Sequence, residues 1–277
     1  MIDGKLQSTG EFDSVDSYVA VYLSLLCKYA MLGGDILEVD PQLKALKLGV
    51  NTLQELTVNG LTRISPNREI YYWMDNAEVL ASYYDIKNFA ESKYGEKWLG
   101  DQQKWLERKM TKAINETEAA VQHYLWNEEE NRYEIGIGNG FPFDFSGWDS
   151  LYPDAIVQVY YTAFDLFLED QRSKDLYETF SNHFKWEYLY FGEDEEFYWS
   201  VLSFIAVNLG DIKRAETYLK QYKEIIKKSR AYPIHTSDAA WVIKTCVGLE
   251  EHYKRRMRTS LLHDFLTGSK EDFDESE

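Results

Sequence analysis

Apolar residues along this 277-residue chain recur at every third or fourth position and almost nowhere alternate one by one. That period belongs to helices, and a chain that carries it from end to end has few ways to fold other than as packed helices. In SVDSYVAVYLSLLCKYAML it puts Val15, Tyr18, Val19, Tyr22, Leu26 and Tyr29 on one face, and Gly33-Gly34 ends the run. The same reading predicts helices over about 41–57, 75–92, 97–126, 152–169, 173–185, 195–208, 212–229 and 236–266. The polar stretch NEEENRYEIGIGNGFPFDFSGWDS, rich in Gly and aromatics, has room for a short hairpin. No linker rich in Pro, Gly or Ser divides the chain, so a single domain over residues 1–267 is expected. Residues 268–277, GSKEDFDESE, read as a disordered acidic tail.

The helices differ in kind. Those that start near residues 14, 75, 152, 196 and 236 are apolar on most faces, whereas those near 41, 98, 173 and 212 carry a strongly charged face. A helix apolar all round is buried, and one with a polar stripe meets water. Buried and exposed helices in alternation predict an all-α fold of helical hairpins with an inner and an outer layer. A solenoid of helix pairs and a closed double-layered toroid both fit. No fixed-length repeat with a shared consensus is visible, which counts against tetratricopeptide-type arrays.

Charge removes several classes of function. Thirty Lys+Arg face 47 Asp+Glu, a net charge of −17, which argues against binding a nucleic-acid backbone or docking on anionic lipid. A neutral or cationic ligand stays open. No apolar run reaches the roughly 18 residues of a membrane helix. MIDGKLQSTG is not a signal peptide, so the chain as written reads as cytoplasmic, with secretion open if a segment precedes it. With 44% apolar and 16% aromatic residues, intrinsic disorder is confined to the ends. Cys27 and Cys246 lie in apolar helical patterns and are expected to be small buried hydrophobes.

Carboxylates and aromatics gather where each inner helix begins. The five segments read EFDSVDSY, YYWMDNAE, GWDSLYPDA, GEDEEFYW and AYPIHTSDAAW. In hairpins of alternating direction all inner N-termini point to one end, so these segments are expected to converge on one acidic, aromatic-lined mouth. Such a mouth suits an oligo- or polysaccharide: aromatic faces stack on sugar rings, and carboxylates bind hydroxyls and supply acid and base. The candidate substrate-binding residues are Asp13, Tyr18, Trp73, Glu78, Trp148, Tyr152, Tyr198 and His235. Trp73 and Trp148, flanked by polar residues, are expected to be exposed. The plainer alternative is that Asp16, Asp75, Asp154 and Asp238 only cap their helices and that EDEE at 193–196 is solvated surface.

Other chemistries lack their residues. The histidines at 123, 183, 235, 252 and 263 have no i, i+4 zinc spacing, so no metal is expected. GIGNG at 136–140 lacks the Lys-Ser/Thr of a phosphate loop, there is no G-x-S-x-G elbow, and neither cysteine has a nearby His. No cofactor is expected either.

The stretch DSVDSYVAVYLSLL resembles the motif of glycoside hydrolase family 8 and its relatives among the six-hairpin glycosidases, an acidic start, then D-x-x-I/V-A, then a small or apolar helix. Asp16 to Ala20 match it. The family's further Asp, two residues earlier, is Ser14 here, with Asp13 one step further back. Tyr152-Pro153-Asp154-Ala155-Ile156 is similar to the Y-D-A-I segment that holds the family's catalytic base, with a Pro inserted, at a similar separation from the first motif. WDSLYPDA and YWMDNAE also look like segments of uncharacterised bacterial relatives. These motifs cover about thirty residues.

The resemblance implies an (α/α)6 toroid of twelve helices and hydrolysis of a β-linked polysaccharide with inversion. Asp154 would be the base that activates water, and Asp16 would hold the distorted sugar ring or share the base's proton. The family's general acid is a Glu well upstream of the first motif, for which these residues offer no position. About nine helices are predicted, so the toroid is expected to be incomplete at its N-terminal side, with the apolar faces of its end helices exposed. Either a preceding segment is missing, or the acid role lies with Asp75 or Glu78. A rival reading is a non-catalytic helical scaffold or glycan-binding remnant. A polysaccharide lyase is disfavoured by the charge.

Overall fold

The computed structural model describes residues 14–34, 39–191, 197–228 and 234–267. Asp13, the EDEE run and the tail from 268 lie outside the described residues. The chain forms two compact units that meet in sequence between His183 and Phe184. The first holds α1 (Val15–Met31), α2 (Val39–Leu56), β1 (Thr57–Val58), β2 (Leu61–Thr62), β3 (Ile70–Tyr72), α3 (Trp73–Glu91), α4 (Lys93–Leu99) and α5 (Gln103–Ala120). It continues with β4 (Trp126–Asn127), β5 (Arg132–Tyr133), β6 (Gly136–Gly138), β7 (Phe141–Pro142), α6 (Ile156–Tyr160) and α7 (Gln171–His183). The second holds α8 (Val201–Asn208), α9 (Ile212–Lys228) and α10 (Thr236–Thr267). The class is all-α, with a few short strands.

Every helix that the apolar period predicts is present, but some are interrupted. The helix expected over 97–126 breaks at Gly100, whose φ of +50° separates α4 from α5. The one expected over 152–169 opens as an irregular turn at Leu151–Ala155, is helical only to Phe164, and stops at left-handed Asp165. The one expected from 195 begins at Val201, after non-helical 197–199.

Two Asn-Gly pairs, Asn59-Gly60 and Asn139-Gly140, all at positive φ, turn β1 into β2 and β6 into β7. This is the dipeptide that a tight two-residue hairpin selects. The hairpin at 136–142 falls in the stretch where one was expected; the one at 57–62 was not foreseen. β6 also pairs with β3, with Tyr72 opposite Gly136, where a Cβ would meet the Tyr71 carbonyl oxygen at 2.6 Å.

These hairpins hold the starts of the inner helices. A helix begins with N–H groups that have no partner inside it. The first N–H of α1, Val15, donates to the carbonyl of Ile64 at 2.7 Å, and the first of α3, Trp73, to that of Ile135 at 2.9 Å. Buried amides lock the same junctions. Asn76 of α3 accepts from the Thr62 N–H at 2.8 Å and donates to the Thr62 carbonyl at 3.0 Å. Gln158 of α6 does the same with Tyr133, at 2.8 Å each way.

Burial corrects three expectations. Trp73 is not exposed: it is sealed in the core against Tyr133, Tyr161 and Phe167, because the first turn of α3 faces inward. On α1 the buried face is Asp16, Ala20, Leu23, Cys27 and Ala30, set against α2 and α3. The tyrosines are on the other side, with Tyr18 77% exposed, so α1 is not buried all round. Small residues at 20, 27 and 30 let α3 come close, which a stripe of tyrosines would prevent. α10 likewise leaves Ile243, Val247 and Met257 exposed. Cys246 is exposed too, one position away from the buried Thr245. No described helix is long and apolar enough to cross a membrane.

The two faces of α1 should respond oppositely to substitution. Ala20→Leu overpacks a closed contact and is expected to cost about 1–3 kcal/mol. Leu25→Ser, on the exposed face, should stay within about 0.5 kcal/mol. Urea unfolding of both variants checks this; the reverse order would mean that the tyrosine face is the buried one.

Candidate active site

Two helix starts, those of α1 and α3, and the end of α6 come together in the first unit. Ser14 occupies the N-cap position of α1, but its hydroxyl does not cap; it donates to Asp75 Oδ2 in the first turn of α3 at 2.9 Å. Ser17 donates to Oε2 of Glu78, one turn further along α3. Tyr160, at the end of α6, donates to the other oxygen, Oε1, at 2.7 Å. Thus the start of α1 and the end of α6 both bond to carboxylates of α3. The spacing explains the pairing: Ser14 and Ser17 are three apart, as are Asp75 and Glu78, so each pair lies along one helix face.

Asp16 sits beneath this rim, fully buried, with Thr62 donating to its Oδ2 at 2.9 Å. Its Oδ1 is buried with no hydrogen-bond partner, although the N–H groups of Asp16 and Ser17 favour the charged form. Burial outweighs these groups and raises the carboxyl to about 6, with a smaller push from the Glu78 charge. Glu78 is raised as well, by burial, against the pull of Ser17 and Tyr160. Tyr160 is pushed well above the usual phenol range by burial and by the charges of Glu78 and Asp75. The cluster therefore shifts both carboxyl groups toward the protonated form, the direction a proton donor needs near neutral pH.

Asp154 is placed differently. It is 2% exposed, and both oxygens are engaged: Ser146 N–H donates to Oδ1 at 2.6 Å and Ser150 hydroxyl to Oδ2 at 2.7 Å. It closes the loop that carries Trp148, which is half-buried and stacked on His183 at 5.7 Å. Tyr152 is 61% exposed, and its phenol is close enough to act on Tyr160. Tyr152 and Tyr18 thus offer aromatic surface, and Trp73 does not.

The other two helix starts belong to the second unit. There the Asp238 carboxylate accepts from the N–H of Ser200 at 3.3 Å and of His235 at 3.0 Å, three residues before it, so it caps α10 as the plainer reading expects. The ring of His235 lies 5.2 Å from Phe197, and the Tyr198 carbonyl accepts from Tyr218 at 2.9 Å. Ser17, Thr62, Asn76 and Tyr160 escaped the sequence reading. Ser17 was within reach, one helical turn after Ser14 and facing the same side; nothing local marks Tyr160.

Among the described residues no group of three or more His, Cys, Asp or Glu could hold a metal ion. No family model matches the chain, and neither does any curated protein or solved structure.

The raised carboxyl has a consequence for stability. Asp16 holds its proton more tightly in the fold, at about 6, than in the unfolded chain, at 3.8. Its contribution is complete below pH 3.8 and is lost as pH rises through 6, on the order of 3 kcal/mol. Asp16→Asn keeps an oxygen for Thr62 and has no charge to bury. Unfolding free energy should therefore fall less between pH 4 and pH 7.5 in Asp16→Asn than in the unaltered chain. An equal fall in both would contradict the assignment.

Proposed function

We propose that the first unit carries the acid/base site of a glycoside hydrolase that cleaves a neutral β-linked polysaccharide with inversion. The observation that carries this is the meeting of α1, α3 and α6 at Glu78, which makes it a part-buried carboxyl group one helical turn from Asp75. Glu78 is the proton donor, since burial raises its carboxyl against the pull of Ser17 and Tyr160. Asp154 is the base, as the resemblance implies; each of its oxygens keeps a free lone pair, but at 2% exposure a water reaches it only if the surrounding loop gives way. In the reaction the Glu78 proton goes to the glycosidic oxygen as its bond to C1 breaks. Water adds to C1 from the opposite face, and its proton goes to Asp154. Asp16, fully buried beneath the rim, does not reach a sugar, so the ring-holding role that the resemblance implies for it is not kept.

The incomplete (α/α)6 toroid goes with this reading. The exposed apolar stripes on α1 and α10, the first and last described helices, are what an unclosed array would leave. A second reading is favoured by Asp238 and Asp154, whose oxygens all accept from backbone and hydroxyl partners: a helical scaffold or glycan-binding remnant without catalysis.

Reducing-end assays on a panel of neutral β-linked glycans separate the two. Glu78→Gln should lower turnover by about 10²–10⁴-fold with an unchanged melting temperature. Asp154→Asn should lose orders of magnitude of turnover while still binding glycan. Binding without any hydrolysis by the unaltered chain would favour the remnant. Activity in Asp154→Asn equal to that of the unaltered chain would remove Asp154 as the base.

A further inference from the structure

Tyr160 belongs to none of the motifs that single out the other residues of the rim, yet it contacts Glu78 from a different element of the fold. Its hydroxyl donates to Oε1 at 2.7 Å, while Ser17 lies against Oε2. The phenol stays neutral, because its burial and the nearby charges of Glu78 and Asp75 oppose its ionisation. A neutral phenol has one hydrogen to give, and here it goes to Oε1. A protonated carboxyl group carries its own hydrogen on one oxygen only. The oxygen that already receives a phenol hydrogen is the poorer place for it, so the acidic hydrogen is left to Oε2. Ser17 can accommodate it there, since a hydroxyl rotates to accept as readily as to donate.

We propose that Tyr160 is a positioning residue of this site, confining the acidic proton of Glu78 to Oε2 and so fixing the side from which the leaving oxygen has to approach. What the proton is used for rests on the glycosidase reading; where it sits does not. When Oε2 gives its proton to the glycosidic oxygen, the Tyr160 hydrogen bond stabilises the carboxylate left behind. Glu78 regains a proton from solvent, which balances the one that water releases at the base.

The test uses Tyr160→Phe, which keeps the ring and removes only the hydroxyl, in the full chain. The Glu78 carboxyl carbon is followed by NMR against pH. The other titratable groups around Glu78 are Asp16 on α1, Asp75 on α3 and Tyr152 beside α6, all intact in the variant. Loss of a donor to the charged form should raise the Glu78 midpoint by ~0.5 pH unit or more. On a neutral β-linked oligosaccharide panel, kcat should fall about tenfold or more with KM within about twofold, and the alkaline limb of the profile should move up. Adding Tyr160→Phe to Glu78→Gln should cost nothing further. An unmoved Glu78 midpoint, or a fall in kcat with an unchanged pH profile, overturns the proposal. A shifted midpoint in a chain that hydrolyses nothing on the panel supports the placement of the proton and sinks the glycosidase reading instead.

Discussion

Buried polar groups where helices begin must find partners, and the first unit is arranged around that need. A helix start exposes unpaired N–H groups, and a two-stranded hairpin exposes unpaired edges; buried separately, each would cost on the order of 1–3 kcal/mol per group. Here each supplies what the other lacks. Val15 and Trp73 donate to carbonyls of the chain beside the hairpins, and the amides of Asn76 and Gln158 pair with both backbone groups of Thr62 and Tyr133. Helix starts that are tied down in this way are rigid, and side chains in their first turns are held at defined positions.

That rigidity gives otherwise similar carboxylates different properties. Asp154 and Asp238 are matched by N–H and hydroxyl donors and serve the backbone. Asp16 has the Thr62 hydroxyl and first-turn N–H groups, and Glu78 two hydroxyls, but burial outweighs these donors and drives both toward the protonated form. Acid/base catalysis requires such a separation of carboxyl groups by environment. For Asp16 and Glu78 it arises from burial, which outweighs the donors that reach each group.

The helical class, the helix positions and the clustering of carboxylates at helix starts were all legible in the 3.6-residue period and in motifs such as DSVDSY and YWMDNAE. The period could not say which way an all-apolar helix faces. Tyr18, Tyr22 and Tyr29 share one apolar face of α1 in the sequence, but close packing against α3 selects the small residues at 20, 27 and 30 as the buried one. Polar neighbours suggested that Trp73 was exposed, whereas the first turn of α3 points inward. The Asn59-Gly60 hairpin was written plainly and passed over. Tyr160 was out of reach of any local rule, because its partner is 82 residues away.

The central claim is that Asp16 and Glu78, from different helices, titrate as neighbours in a buried setting. Carboxyl ¹³C NMR titration of the unaltered chain and of Glu78→Gln measures this directly. The account predicts an Asp16 midpoint near 6 that moves down when the Glu78 charge is removed. An Asp16 midpoint in the ordinary carboxylate range, or one indifferent to Glu78→Gln, would contradict it.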